Sequence, residues 1–168
     1  ISTYGMTKFM AEQITLNSKK NYSLNSCVVR LSNVFGKYSL HKKSVVHQFF
    51  KNFLKKKNFL IHDTGKQKRD LIYAGDVTDQ LFKILKISKF KEDYYEISKQ
   101  SLISINELKQ LIDKTTQNNN LSIKIKAPKG YDTKVSSSKT VKNKKYLDYL
   151  NKRLLIVLNW YREQKKIL

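Results

Sequence analysis

Short apolar runs alternate with stripes of helical period along this chain. Such alternation constrains the fold to an α/β architecture with a mainly parallel sheet. The spacing predicts a helix over residues 4–16, where Phe9 and Gln13, or Met10 and Ile14, recur at i, i+4. The polar stretch "NSKKNYSLNS" reads as a loop. The run "CVVRLSNVFG" reads as one short buried strand ended by Asn and Gly. Ser44 is placed to cap a helix in which Val45/Val46, Phe49/Phe50 and Phe53/Leu54 form one stripe. Lys55, Lys56 and Lys57 then sit where a helix C-terminus favours cations.

"NFLIHDTGKQKRDLIYAGDV" predicts strand, turn and strand, with Asp63-Thr64-Gly65 as the turn. Asp76 is expected to cap a helix carrying Val77, Leu81, Ile84 and Leu85 on one side. "DYYEIS" reads as a further strand. Ser104 and Glu107 have capping-box spacing and open a helix with Ile105, Leu108, Leu111 and Ile112 inward. "TTQNNN" breaks that helix, and the alternating "LSIKIK" predicts a strand with one exposed face. A polar loop through Pro128 and Gly130 precedes a terminal helix with Leu150, Leu154, Val157, Leu158 and Tyr161 on one face. No internal repeat is visible, and no G-x-G-x-x-G phosphate loop occurs in the sequence.

At 168 residues and 40% hydrophobic content, the chain can build one domain with a real core. No apolar run is long enough to cross a bilayer, and no targeting pattern opens the sequence, so a cytoplasmic location without membrane attachment is expected. Cys27, the single cysteine, lies in an apolar run and reads as a buried thiol. No metal-ligand spacing is present. His41, His47 and His62 match no motif and read as surface or structural residues. The formal net charge is +21, but 30 of the 34 basic residues are Lys, scattered over nearly every polar face. Base readers and phosphate clamps favour Arg. The charge therefore reads as a solvated surface before a nucleic-acid footprint, and such a surface steers phosphorylated substrates.

Tyr4 and Lys8 share one helical face. A free phenol has a pKa of about 10 and is a poor base at neutral pH. A nearby ammonium favours the phenolate. Such a pair can exchange a proton with a substrate hydroxyl. In so Lys-rich a chain, two unrelated surface residues that happen to stand four apart are the commoner reading of the pair taken alone.

Three stretches give the pair a context. "YGMTKFMAE" resembles the "YGxSKxxxE" signature of the extended short-chain dehydrogenase/reductases, the NAD-dependent epimerase/dehydratase family. "RLSNVFG" resembles that family's "RxxNVYG", and "GKQKRDLIYAGDV" its "GxxxRDFIYVDDV". "YYEISKQSLISINELKQLI" and "LNWYREQ" resemble its later strand–helix and closing segments. The likeness runs in order along nearly the whole chain.

The resemblance implies the C-terminal part of a Rossmann-like parallel sheet plus a smaller α/β substrate-binding domain. Residues 1–36 would belong to the cofactor domain and 37–168 mostly to the substrate region, with 70–100 returning to the Rossmann-like sheet. Tyr4 would be the general acid/base and Lys8 would hold the nicotinamide ribose of NAD or NADP. Asn33 would contact a nucleotide-sugar substrate and Arg69 its pyrophosphate, as suits a planar guanidinium. From the residues alone, Asn33 also reads as a turn residue before Gly36, and Arg69 as an ion-pair partner of Asp70. Lys129 in "APKGYDTKVSSSK" would replace a second phosphate-binding Arg, although the family's "RPGD" and "LGWxP" patterns are not matched.

In the family, the Gly-rich loop and the catalytic Ser/Thr precede the Tyr, which stands here at position 4. The resemblance thus implies the later part of an enzyme, poorly stable and weak in NAD binding by itself, with exposed sheet edges. It also implies a homodimer through the Tyr–Lys helix. Two other readings are a basic nucleic-acid-binding module, which would bind with strong salt dependence, and a truncated inactive relative that keeps a subunit contact.

Overall fold

The computed structural model describes residues 2–117, 122–126 and 144–164. Lys129, Pro128 and Gly130 lie outside the described residues. The order of elements is α1 (Thr3–Tyr22), β1 (Val28–Leu31), β2 (Asn33–Phe35), α2 (Val45–Leu54), β3 (Phe59–His62), β4 (Lys68–Arg69), β5 (Leu71–Tyr73), α3 (Ala74–Leu85), β6 (Tyr94–Ile97), β7 (Ile103–Ser104), α4 (Ile105–Thr116), β8 (Ser122–Ile125) and α5 (Lys144–Glu163). Three strand pairs are parallel, β1–β6, β2–β5 and β3–β8, and the short β4–β7 pair is antiparallel. The expected mainly parallel α/β architecture is present.

Two buried clusters divide the molecule. The larger joins Phe49 and Phe50 of α2, Phe59 and Ile61 of β3, Leu108 and Ile112 of α4, and Leu150, Leu154, Val157, Leu158 and Tyr161 of α5. The terminal stripe read from the sequence is thus the side of α5 that enters the core, with Tyr146 and Trp160 added to it. The smaller cluster holds Ile72, Val77 and Ile97, with Val29, Leu81 and Ile84 packed against it. Among the described residues, no helix is long and apolar enough to cross a membrane.

Several local expectations are corrected. Helix α1 runs through Tyr22 rather than stopping near residue 16, because no Gly or Pro falls between residues 16 and 22 and Lys19 and Lys20 suit its C-terminal dipole. It ends where Ser23 turns left-handed, at φ 52°. The run "CVVRLSNVFG" is two strands, since β1 and β2 take different partners, β6 and β5. Cys27 is only half-buried. Asp76 does not cap α3: the N-cap is Tyr73, and Asp76 lies in the first turn, held by Arg153 of α5 at 2.5 and 3.2 Å. Ser44 is the N-cap of α2, without a side-chain capping bond. His47 is structural, buried at 1% exposure with its Nδ1 2.9 Å from the Tyr161 hydroxyl.

The Ser104–Glu107 capping box is complete. The turn before it carries Asp63 and Gly65 at positive φ, 53° and 68°. A side chain at Gly65 would also collide with Asn106, so glycine serves both conformation and space. This turn accepts N–H bonds from the start of α4, Ile105 to Gln67 O and Asn106 to Gly65 O, each 3.1 Å. That contact fixes α4 beside β4 and Arg69.

Candidate functional site

Helix α1 lies antiparallel to β1. Lys19 meets Asp93, next to the start of β1, at 2.8 Å, and Glu12 meets Arg30 of β1 at 2.6 and 3.0 Å. From Glu12, a helix rises about 6 Å to Lys8 and about 12 Å to Tyr4. From Arg30, an extended chain covers about 10 Å to Asn33. Lys8 and Tyr4 therefore stand level with the residues that follow β1, at the carboxyl ends of the parallel strands. That edge is where open α/β sheets receive ligands.

The two side chains meet. Lys8 Nζ is 5.6 Å from the centroid of the Tyr4 ring. Tyr4 is 72% exposed, so its hydroxyl is open to a ligand. Ser2 caps the helix beneath them, accepting from the Gly5 N–H at 3.1 Å.

Asn33 and Arg69 come together in a separate feature, a cleft of about 220 Å³ between β2, β5 and the start of α2. Lys43, Ser44, Val45 and Gln67 also line it. Asn33 is the first residue of β2, not a turn residue beyond a strand. Its backbone N–H and its Nδ2 both donate to the Asp70 carbonyl, at 2.9 and 3.1 Å. Because a carbonyl only accepts, the amide orientation is fixed and Oδ1 is left as the second polar end. Arg69 donates to the Lys68 carbonyl at 2.8 Å.

Asp70 is the buried acid beneath the cleft. Burial raises its pKa, opposed by backbone N–H groups of Lys99, Ser101 and Gln100 and by the Ser32 hydroxyl. The Lys99 N–H reaches its Oδ1 at 3.1 Å. Its carboxylate is thus spent on the loop after β6, while its carbonyl holds Asn33.

The expected four-residue constellation is realised as two pairs. Tyr4 with Lys8 and Asn33 with Arg69 are each brought together, but Tyr4 and Lys8 do not line the cleft. Lys129 lies outside the described residues. Sequence reasoning missed Lys43 and Gln67, and also an adjoining cavity of about 370 Å³ that shares Lys43 and Val45 and adds Gln48, Asn52, Leu60 and His62. The signal was available in part: Lys43 directly precedes the α2 cap, where a side chain overlooks the helix start. Nothing local marks His62, which lies on β3.

Residues 1–98 match the family described as the NAD dependent epimerase/dehydratase family. A dTDP-D-glucose 4,6-dehydratase from Bos taurus is 32% identical over 117 residues, covering 67% of this chain and 32% of that protein. A UDP-glucose 4-epimerase from Thermotoga maritima, solved with UDP-glucose, superposes with a TM-score of 0.83 at 24% identity, covering 98% of this chain and 54% of that one. A dTDP-glucose 4,6-dehydratase from Bacillus anthracis, solved with NAD, gives 0.80 at 19% identity, covering 99% and 54%. The chain spans about a third of the curated relative and about half of the solved ones. With more than half of its residues inside the family match, and the Tyr–Lys helix, the Asn33 strand and the Arg69 strand all within it, this chain belongs to the NAD dependent epimerase/dehydratase family.

Proposed function

We propose that this chain supplies the acid–base and substrate-side part of a nucleotide-sugar epimerase or dehydratase that uses NAD. The observation that carries the reading is the level of Tyr4 and Lys8 at the carboxyl edge of the sheet, with Asn33 and Arg69 in a cleft at the neighbouring strand. The donor set suits the cofactor: an exposed ammonium can bind a ribose diol, and a phenol beside it can face a reacting sugar. NAD, when bound, supplies the hydride acceptor. Tyr4 Oη takes the proton of a sugar hydroxyl as that carbon is oxidised to a keto group. Lys8 favours the phenolate and binds the ribose hydroxyls. Asn33 contacts the nucleotide sugar, and Arg69 and Lys43 neutralise its diphosphate. Lys129 would add a further cation from the segment after β8.

In this reading residues 1–36 and 70–100 form the cofactor side and the remainder of 37–168 forms the substrate side. The Gly-rich pyrophosphate loop has no counterpart among the 168 residues. The exposed Phe9, Met10 and Ile14 of α1 support the homodimer that the family likeness implies. Light scattering of the native protein would test it, and a monomer at micromolar concentration would exclude it.

The deciding experiment uses the full-length native protein with UDP-glucose and dTDP-glucose, following sugar products by mass and NMR. Tyr4→Phe should lower turnover by roughly 10²–10⁴-fold, as loss of a general acid/base does. It should leave nucleotide affinity intact. Full turnover in that variant would overturn the assignment.

A further inference from the structure

Among the described residues, strand β5 pairs with β2 on one side only, and its other edge is closed by tyrosine hydroxyls. Backbone groups alternate sides along a strand. The Asp70 carbonyl faces β2, where it accepts from Asn33. Leu71 and Tyr73 must then direct their N–H groups to the far edge. There the Tyr146 hydroxyl accepts from the Leu71 N–H at 2.8 Å and donates to the Leu71 carbonyl at 3.1 Å. The Tyr149 hydroxyl accepts from the Tyr73 N–H at 2.8 Å. The two rings stack 6.1 Å apart on successive turns of α5, a spacing close to that between alternate residues of a strand.

The same helix reaches Asp70 by a second path. The Tyr149 hydroxyl also bonds Asp76, which Arg153 grips with two bonds. Lys99 places its ammonium 4.1 Å from the Tyr149 ring, and the Lys99 backbone N–H holds the Asp70 carboxylate. Asp70 thus lies between two connections to α5, one through β5 and one through Lys99. Its own carbonyl fixes Asn33, and Arg69 is its neighbour in sequence.

We propose that Tyr146 and Tyr149 are positioning residues for the nucleotide cleft: by pegging the free edge of β5 they set where Asn33 and Arg69 stand. This rests on the proposed function for the identity of the ligand, but not for the geometry. The alternative is that both hydroxyls serve only stability, like that of Tyr161, which bonds His47 away from β5.

The test compares Tyr146→Phe, Tyr149→Phe and Tyr161→Phe in the full-length native protein, well below the melting temperature of each. UDP and dTDP are titrated by calorimetry. Each of the first two variants should weaken binding about fivefold, the order of one hydrogen bond, and raise KM while leaving kcat. Tyr161→Phe should change neither. Unchanged affinity in the first two, or equal weakening in all three, would overturn the proposal. If the wild type binds neither nucleotide, the functional reading fails and the peg is judged separately by NMR. The Asn33 side-chain amide should then shift, and the Leu71 and Tyr73 amides should exchange faster, in Tyr146→Phe and Tyr149→Phe alone. An unmoved Asn33 resonance would overturn the proposal. Should Tyr146→Phe not fold, the less buried Tyr149 carries the same comparison.

Discussion

Helices α1 and α5 are both twenty residues long, and they are used in opposite ways. Seven side chains of α5 are buried; none of α1's is. On α1, Phe9 at 59%, Met10 at 60% and Ile14 at 65% exposure face outward, and α3 adds Phe82 at 61%. The α5 side is a continuous core joining three helices and β3. The α1 side rests on three central residues and on ion pairs at the surface, which contribute little. Because burial dominates folding free energy, stability should reside with α5, while the side bearing Tyr4 and Lys8 follows it. The proposed chemistry and the cohesion occupy different regions of this molecule.

The largest effect should come from the filled side. Leu154→Ala removes a side chain with 0% exposure and should cost about 2–5 kcal/mol. Ile14→Ala, at the exposed helix, should stay within about 0.5 kcal/mol. Urea unfolding measures both, and equal losses would break the contrast between the two sides.

Acid should attack the filled side next. Burial, with help from Lys51, Lys42 and His41, lowers the His47 pKa from 6.5 to about 4. The folded state therefore binds this proton less readily than the unfolded chain does. The stability contributed by neutral His47 is fully present above about pH 6.5 and is lost as pH falls through about 4. The difference in unfolding free energy between wild type and His47→Gln should narrow by roughly 2 kcal/mol from pH 7 to pH 4.5. A constant difference across that window would mean that His47 does not stay neutral in the fold. Burial also lifts the Tyr161 phenol to about 12, so His47's partner stays protonated throughout.

Arg153 and Asp76 tie the two sides together, since α5 belongs to one and α3 to the other. Both groups are partly buried. Asp76→Ala should cost about 1.5–3 kcal/mol, the range for hydrogen bonds to charged groups, and should separate the unfolding of α1 and α3 from that of α5. Native-state hydrogen exchange reads this directly. A single cooperative unit in the variant would show that the tie is not what couples the sides.

Sequence patterns disclosed the filled side better than the thin one. The α5 and α2 stripes, the capping box at Ser104 and the turn at Asp63–Gly65 are set by residues within one or two turns of each other. The division of residues 27–36 into two strands depends on partners near residues 71 and 94, and no local pattern carries that. Asp76 reads as a cap until Arg153, 77 residues away, is brought beside it. His47 lies beside the α2 stripe, and only Tyr161 explains a buried imidazole there. Within the candidate site, the Tyr4–Lys8 pair follows from helical periodicity alone. The meeting of Asn33 with Arg69 is produced by the β2–β5 register, and so is the fixed Asn33 amide, whereas Lys43 enters the cleft from the residue before the α2 cap.

The smallest effect lies on α1 itself. Arg30 bonds both oxygens of Glu12 and lowers its pKa, chiefly through the side-chain hydrogen bond. A carboxylate so held favours the docked helix above its unfolded pKa and releases it as pH falls through the lowered value. The pair lies at the surface, with Arg30 exposed and Glu12 half-buried, and surface ion pairs contribute little, so Glu12→Gln should leave the global unfolding transition in place. The loss should instead be local. Amide exchange along α1 should accelerate, and 1 M salt should reproduce part of that acceleration in the wild type through screening. Since Glu12 is the contact that sets the level of Lys8 and Tyr4 against β1, loosening it should lower turnover by the native protein without altering the β5 amides. Protected α1 amides in Glu12→Gln would mean that the helix is held chiefly by something other than this ion pair, and the division between a cohesive side and a dependent one would have to be redrawn.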